Sequence, residues 1–125
     1  MEWPFSEQHP AGQTPSWIPT RPPTLTLDML LEIRQKIGAT PGRLSMFIGH
    51  MLVSRMAGLI DGHRLCLTLA GFRDEEYFRF ERWLQEEKGL PPGQDWSQPL
   101  LSACQGDAEQ AIFRLLDFAV EFRGG

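Results

Sequence analysis

Residues 72–123, FRDEEYFRFERWLQEEKGLPPGQDWSQPLLSACQGDAEQAIFRLLDFAVEFR, decide the fold. Three helices are expected here, separated by Gly89-Leu90-Pro91-Pro92-Gly93 with Trp96, and by Gly106-Asp107. In the first, from about Asp74 to Lys88, Tyr77, Phe80, Trp83 and Leu84 recur at helical spacing and predict a buried stripe. Glu75, Arg79, Arg82 and Glu86 fall largely on the other side. Asp74 is placed to cap this helix, Glu75 and Glu76 suit its positive end, Lys88 its negative end, and Gly89 a left-handed stop. A short helix from about Trp96 to Cys104 tolerates Pro99 in its first turn. The last opens on Asp107-x-x-Gln110, a capping-box-like pair, and carries Ala111, Ile112, Leu115, Leu116, Ala119 and Val120 on its core face.

Upstream, a first helix is expected from Leu27 to Ile37, with Thr26 as its cap and Gly38 as its end. Thr40-Pro41 starts a second, expected to run unbroken to Ile60 and to stop at Asp61-Gly62. It is apolar on most sides, as the central helix of a bundle is. Its apolar excess can be buried within one chain or across a homo-oligomer. Leu65, Leu67 and Leu69 alternate with polar or small residues, a strand-like period; without a partner strand, an irregular or helical connection is the better expectation for residues 63–71. Residues 1–23 hold six of the ten prolines, which exclude helix or sheet interior, yet also Trp3, Phe5 and Trp17. They predict an extended arm pinned to the body by Trp17 or Trp3. The expected architecture is therefore all-α: an arm over 1–23, then a single compact bundle of four to five helices over 24–125.

Composition narrows the function. The 125 residues are 42% hydrophobic and 22% charged, with net charge −4, which suits one globular domain. The acidic balance argues against a nucleic-acid partner and suits a basic protein partner. No run approaches the roughly 18 apolar residues of a membrane helix, and Met1-Glu2-Trp3-Pro4-Phe5 has no basic n-region or apolar h-region. A cytoplasmic location, with Cys66 and Cys104 as buried reduced thiols, is the expectation.

Catalytic chemistry finds little support. His9, His50 and His63 are scattered, so no metal-ligand spacing arises. Ser45, Ser54 and Ser102 fall inside helical patterns, and Cys104 has no activating neighbourhood. No glycine loop that would cradle phosphate is present. The carboxylates Asp74-Glu75-Glu76 and Glu86-Glu87 sit at helix ends and on polar faces, as a solvated face or as an acidic patch for a basic partner. A non-enzymatic protein without metal or cofactor is expected.

Over residues 25–123 the chain resembles a group of small bacterial proteins encoded beside polymorphic, contact-dependent and type VI secreted toxins and regarded as their immunity proteins. The likeness rests on a leading helix like Leu27–Ile37 and a Pro-Gly turn with a long helix like Pro41–Ile60. It continues through Glu87-Lys88-Gly89-Leu90-Pro91, Trp96, and Gly106-Asp107 before the terminal amphipathic helix. The arm and the Leu65–Leu69 tract depart from that pattern. The resemblance implies an antitoxin that binds one cognate toxin and occludes its active site, and it supplies no binding residues. Those come from the helix faces: Glu75, Glu76, Arg79, Arg82 and Glu86, with Asp95 and Trp96 from the following loop, Trp96 having a core position as its alternative. A different class of function is a helical adaptor that engages a partner through residues 1–23.

Overall fold

The computed structural model of the chain describes residues 23–124. The expected arm, and its pinning by Trp3 or Trp17, lies outside the described residues. Among these, six α-helices and one 3-10 turn occur, and no strand. α1 is Thr26–Ile37, and the 3-10 turn Pro41–Leu44 leads into a single helical turn, α2, Ser45–Ile48. α3 is Val53–Leu69, α4 Glu75–Lys88, α5 Ser97–Ala103 and α6 Ala108–Gly124.

The centre of the bundle is α6, not the expected second helix. Ala111, Ile112, Leu115, Leu116 and Ala119 are all fully buried, and α1, α3, α4 and α5 pack on α6. Two alanines in that stripe let neighbours approach closely, while the three larger residues fill the space between them. Phe80 of α4 is fully buried and meets Phe122 of α6 with ring centroids 5.5 Å apart. Trp83 adds Phe122 at 5.5 Å and Phe118 at 6.2 Å, a tilted aromatic seam between α4 and α6. Ion pairs fasten the rims: Arg34 to Asp117 at 2.8 Å, Lys88 to Glu121 at 2.8 Å, and Arg123 to both Asp28 (2.9 Å) and Glu76 (2.7 Å).

The expected Pro41–Ile60 helix is divided. Gly49 adopts φ +78°, a conformation that costs an L residue about 1 kcal/mol or more but glycine almost nothing. Leu52 is extended, and α3 starts afresh at Val53. Apolar residues around the break are released to solvent, Met46 at 80% exposure. α3 then runs straight through Asp61-Gly62, where a stop was expected. Those two residues cost roughly 1–2 kcal/mol of helix propensity together, which the burial of Met56, Ile60 and Leu67 on the same helix outweighs. The alternation at Leu65–Leu69 is thereby helical: Leu67 points inward, and Leu65 and Leu69 outward. Cys66 is exposed, correcting the expectation of a buried thiol, whereas Cys104 is buried.

Helix ends also differ in who caps whom. Gly38 (φ +51°) and Gly89 (φ +73°) terminate α1 and α4 as expected, and Asp107 Oδ1 accepts the Gln110 N–H at 3.1 Å at the start of α6. Neither Thr26 nor Thr40 makes a side-chain capping bond. Thr26 is instead the first residue of α1, and its N–H donates to Asp74 Oδ2 at 3.2 Å. Asp74 holds the N-cap position of α4 but makes no capping bond there. It serves one of the orphan donors of a helix 48 residues away in sequence. His63 Nε2 donates to the Thr24 carbonyl at 2.8 Å, so α3 also holds the entry to α1.

Replacing Asp74 by alanine should therefore destabilise α1 rather than α4. The expected loss is about 1 kcal/mol, the lower part of the capping range. Asp74 Oδ1 is itself buried without a partner among the described residues, which offsets part of the gain. Urea unfolding with hydrogen exchange would show the lost protection at Met29 and Leu30; loss confined to the first turn of α4 would contradict this.

Candidate partner-binding surface

α3 and α4 are joined by a short connection, and each packs on α6, while side chains rather than close backbones span the space between them. Between them lies an open groove of about 540 Å³. Arg64, Leu65 and Thr68 of α3 form one wall, and Glu75, Phe78, Arg79 and Arg82 of α4 the other. Phe72 and Arg73, from the connection, close the end next to Asp74.

Helical spacing explains the α4 wall. Glu75, Phe78, Arg79 and Arg82 occupy positions i, i+3, i+4 and i+7, one stripe facing away from α6. Phe78 is 61% exposed there. Arg64 bridges the two helices: its guanidinium lies 4.5 Å from the Tyr77 ring centroid and 5.0 Å from that of Phe78, and its Nη1 is 3.4 Å from Glu81. Stacked between rings with a carboxylate at its edge, this planar cation is held in one orientation.

The groove is therefore basic and aromatic, and of the carboxylates read as a solvated face or an acidic patch only Asp74 and Glu75 line it. Of its carboxylates, Asp74 is buried and bonded to the Thr26 N–H, and Glu75 pairs with Arg73 at 3.5 Å. Arg79 and Arg82 have no carboxylate within ion-pair distance among the described residues.

Of the residues expected at an interface, the fold brings Glu75, Arg79 and Arg82 together in this groove. Glu76 turns away to Arg123 and helps fasten α4 to α6. Glu86 is exposed farther along α4, outside the groove. Asp95 Oδ1 accepts from the Ser97 backbone N–H at 3.0 Å and from its hydroxyl at 2.6 Å, a local turn that leads into α5. Trp96 is only 5% exposed and belongs to the core, its alternative position. Sequence reasoning missed Arg64, Leu65, Phe72, Arg73 and Phe78. The last was legible, since an aromatic at i−1 and i−4 from two arginines sits on their stripe; those on or beside α3 were hidden by treating 63–71 as a connection.

Ser45 donates its hydroxyl to the Gly42 carbonyl at 2.8 Å, away from the groove, and Cys104 is buried. No group of three or more His, Cys, Asp or Glu side chains that could hold a metal occurs among the described residues. None of the described helices is long and apolar enough to cross a membrane. Comparisons with family models, with curated proteins and with solved structures each find no match. The described residues thus form an all-helical fold with a basic, aromatic groove on one side.

Electrostatics beneath the groove are set by burial. It pushes the Tyr77 phenol upward, with Glu81 adding to the shift and Arg64 opposing it. Burial likewise holds the Glu81 carboxyl above its ordinary value, with Arg64 pulling it back and Asp61 and Asp95 reinforcing the rise. A carboxyl with a raised folded-state pKa costs no stability below its unfolded value and does cost stability once pH passes above the raised one. Glu81→Gln should accordingly raise Tm at neutral pH, with the difference shrinking as pH falls through the carboxylate range. A gain of equal size at every pH in a thermal-melt series would rule out ionisation as its cause.

Proposed function

We propose that this protein is a non-catalytic inhibitor of the immunity type, which docks a cognate protein toxin on its α3–α4 face and so blocks the toxin's active site. The observation that carries this reading is Phe78, 61% exposed on a rigid helix and flanked by Arg79 and Arg82 along one groove. Aromatic and arginine side chains dominate binding energy at protein interfaces, where a ring fills a pocket and the guanidinium forks bind in two-point fashion. A soluble monomer has little reason to expose such a ring beside two guanidinium groups without a carboxylate partner among the described residues.

The way α4 is mounted supports the same reading. Its inner face is anchored by Phe80 and Trp83 against α6 and by Glu76 on Arg123. A binding face held by a packed core loses little freedom on docking, which favours affinity. The groove is open on one side, suited to receiving part of a macromolecule.

The test is co-expression of the full chain with the toxin domain encoded by its gene's neighbour, read as growth. Wild-type protein should restore growth and co-purify with the toxin. Phe78→Ala combined with Arg82→Ala should abolish rescue while helical circular dichroism and Tm stay within a few degrees. Glu76 is a poor choice for reversal, because the change would also break its bond to Arg123. Toxicity that the wild-type chain fails to relieve would sink the reading; rescue that needs residues 1–23 but not Phe78 would transfer it to the adaptor class.

A further inference from the structure

The groove's charge specifies its partner more narrowly. We infer that it takes an acidic segment of a partner protein, whose carboxylates meet Arg79 and Arg82 while an apolar side chain rests on Phe72 and Phe78. This rests on the reading of the groove as a protein-docking surface, and it reverses the partner charge that composition suggests.

Charge accounting leads to it. Four guanidinium groups line the groove, from Arg64, Arg73, Arg79 and Arg82, against Asp74 and Glu75. Asp74 is buried and committed to the Thr26 N–H, so Glu75 is the one exposed anion of the lining. It is matched by Arg73 at 3.5 Å in a pair exposed on both sides, a contact that solvent weakens and an incoming carboxylate can replace. Arg64 is committed to Glu81 and the two rings. Arg79 and Arg82 are left, without a carboxylate partner among the described residues. Three positions apart on α4, they stand about 5–6 Å from each other at Cβ, the spacing of residues three or four apart on a second helix.

An apolar contact is specified by the same walls. Phe72 and Phe78 are both exposed, and Leu65 faces them from α3. A guanidinium beside an exposed ring suits a segment in which acidic and bulky apolar side chains alternate. The whole chain carries −4, so a long polyanion meets repulsion beyond the groove, whereas a short acidic segment touches only its positive lining. That favours a peptide segment over nucleic acid.

The experiment selects short random peptides, displayed on phage, against the full-length chain, with an Arg79→Ala/Arg82→Ala variant as the counter-target. Enriched peptides should combine net negative charge with aromatic or large aliphatic residues. Synthetic copies should bind at least about tenfold more weakly to the double variant and progressively more weakly as salt rises. Enrichment of neutral or basic peptides, no enrichment, or equal binding by the double variant would each overturn the inference. So would tighter binding of a fluorescent single-stranded oligonucleotide, or self-association by sedimentation that the double variant abolishes. The functional reading is judged apart from this: toxin rescue that persists in the double variant leaves immunity standing and removes the acidic partner. Selective acidic peptides without any rescue do the opposite.

Discussion

Burial of one stripe on α6 is the constraint that the rest of the described structure obeys. With Ala111, Ile112, Leu115, Leu116 and Ala119 all out of contact with water, four other helices complete their own cores on the same surface. Their directions are then set by α6 rather than by each other. At about 1.5–3 kcal/mol for each large side chain removed from water, no single ion pair at the rim competes with this stripe. The pairs of Arg34 and Arg123 lie at its edges and fix register more than they supply stability.

The groove is a product of the same arrangement. α3 and α4 both answer to α6, so nothing requires them to close on one another. Arg64 bridges the space between them, with its charge on Glu81 and its guanidinium over Tyr77 and Phe78. Glu81 and Tyr77, whose pKa values burial raises, hold the guanidinium of Arg64 beside the groove.

How much of this was legible in the sequence follows from how local each signal is. The faces of α4 and α6 were readable because Phe80, Leu84, Ile112 and Leu115 repeat at helical period over several turns. Gly38, Gly89 and Asp107 act within one turn, and their roles followed. The division at Gly49–Leu52 was not legible, because apolar residues continue on both sides and Gly49 is tolerable inside a helix. Asp61-Gly62 misled in the opposite sense: local stop signals lost to the packing of Met56 and Ile60. Asp74 is legible as the N-cap residue of α4, but the donor its carboxylate serves, at Thr26, is too distant in sequence to be read. The site was half legible for the same reason. Arg79 and Arg82 share a helix with the stripe that positions them, whereas Arg64 joins them only through the tertiary fold.

The two thiols give the molecule a built-in gauge. Cys104 is enclosed by the core, and Cys66 stands exposed on α3 next to Leu65, which lines the groove. A thiol-specific reagent reaches Cys66 directly but reaches Cys104 only when the fold opens, so the two labelling rates separate surface access from unfolding within one chain. Neither requires an engineered cysteine: the slower rate reports opening of the core, and the faster one reports access to the outer face of α3.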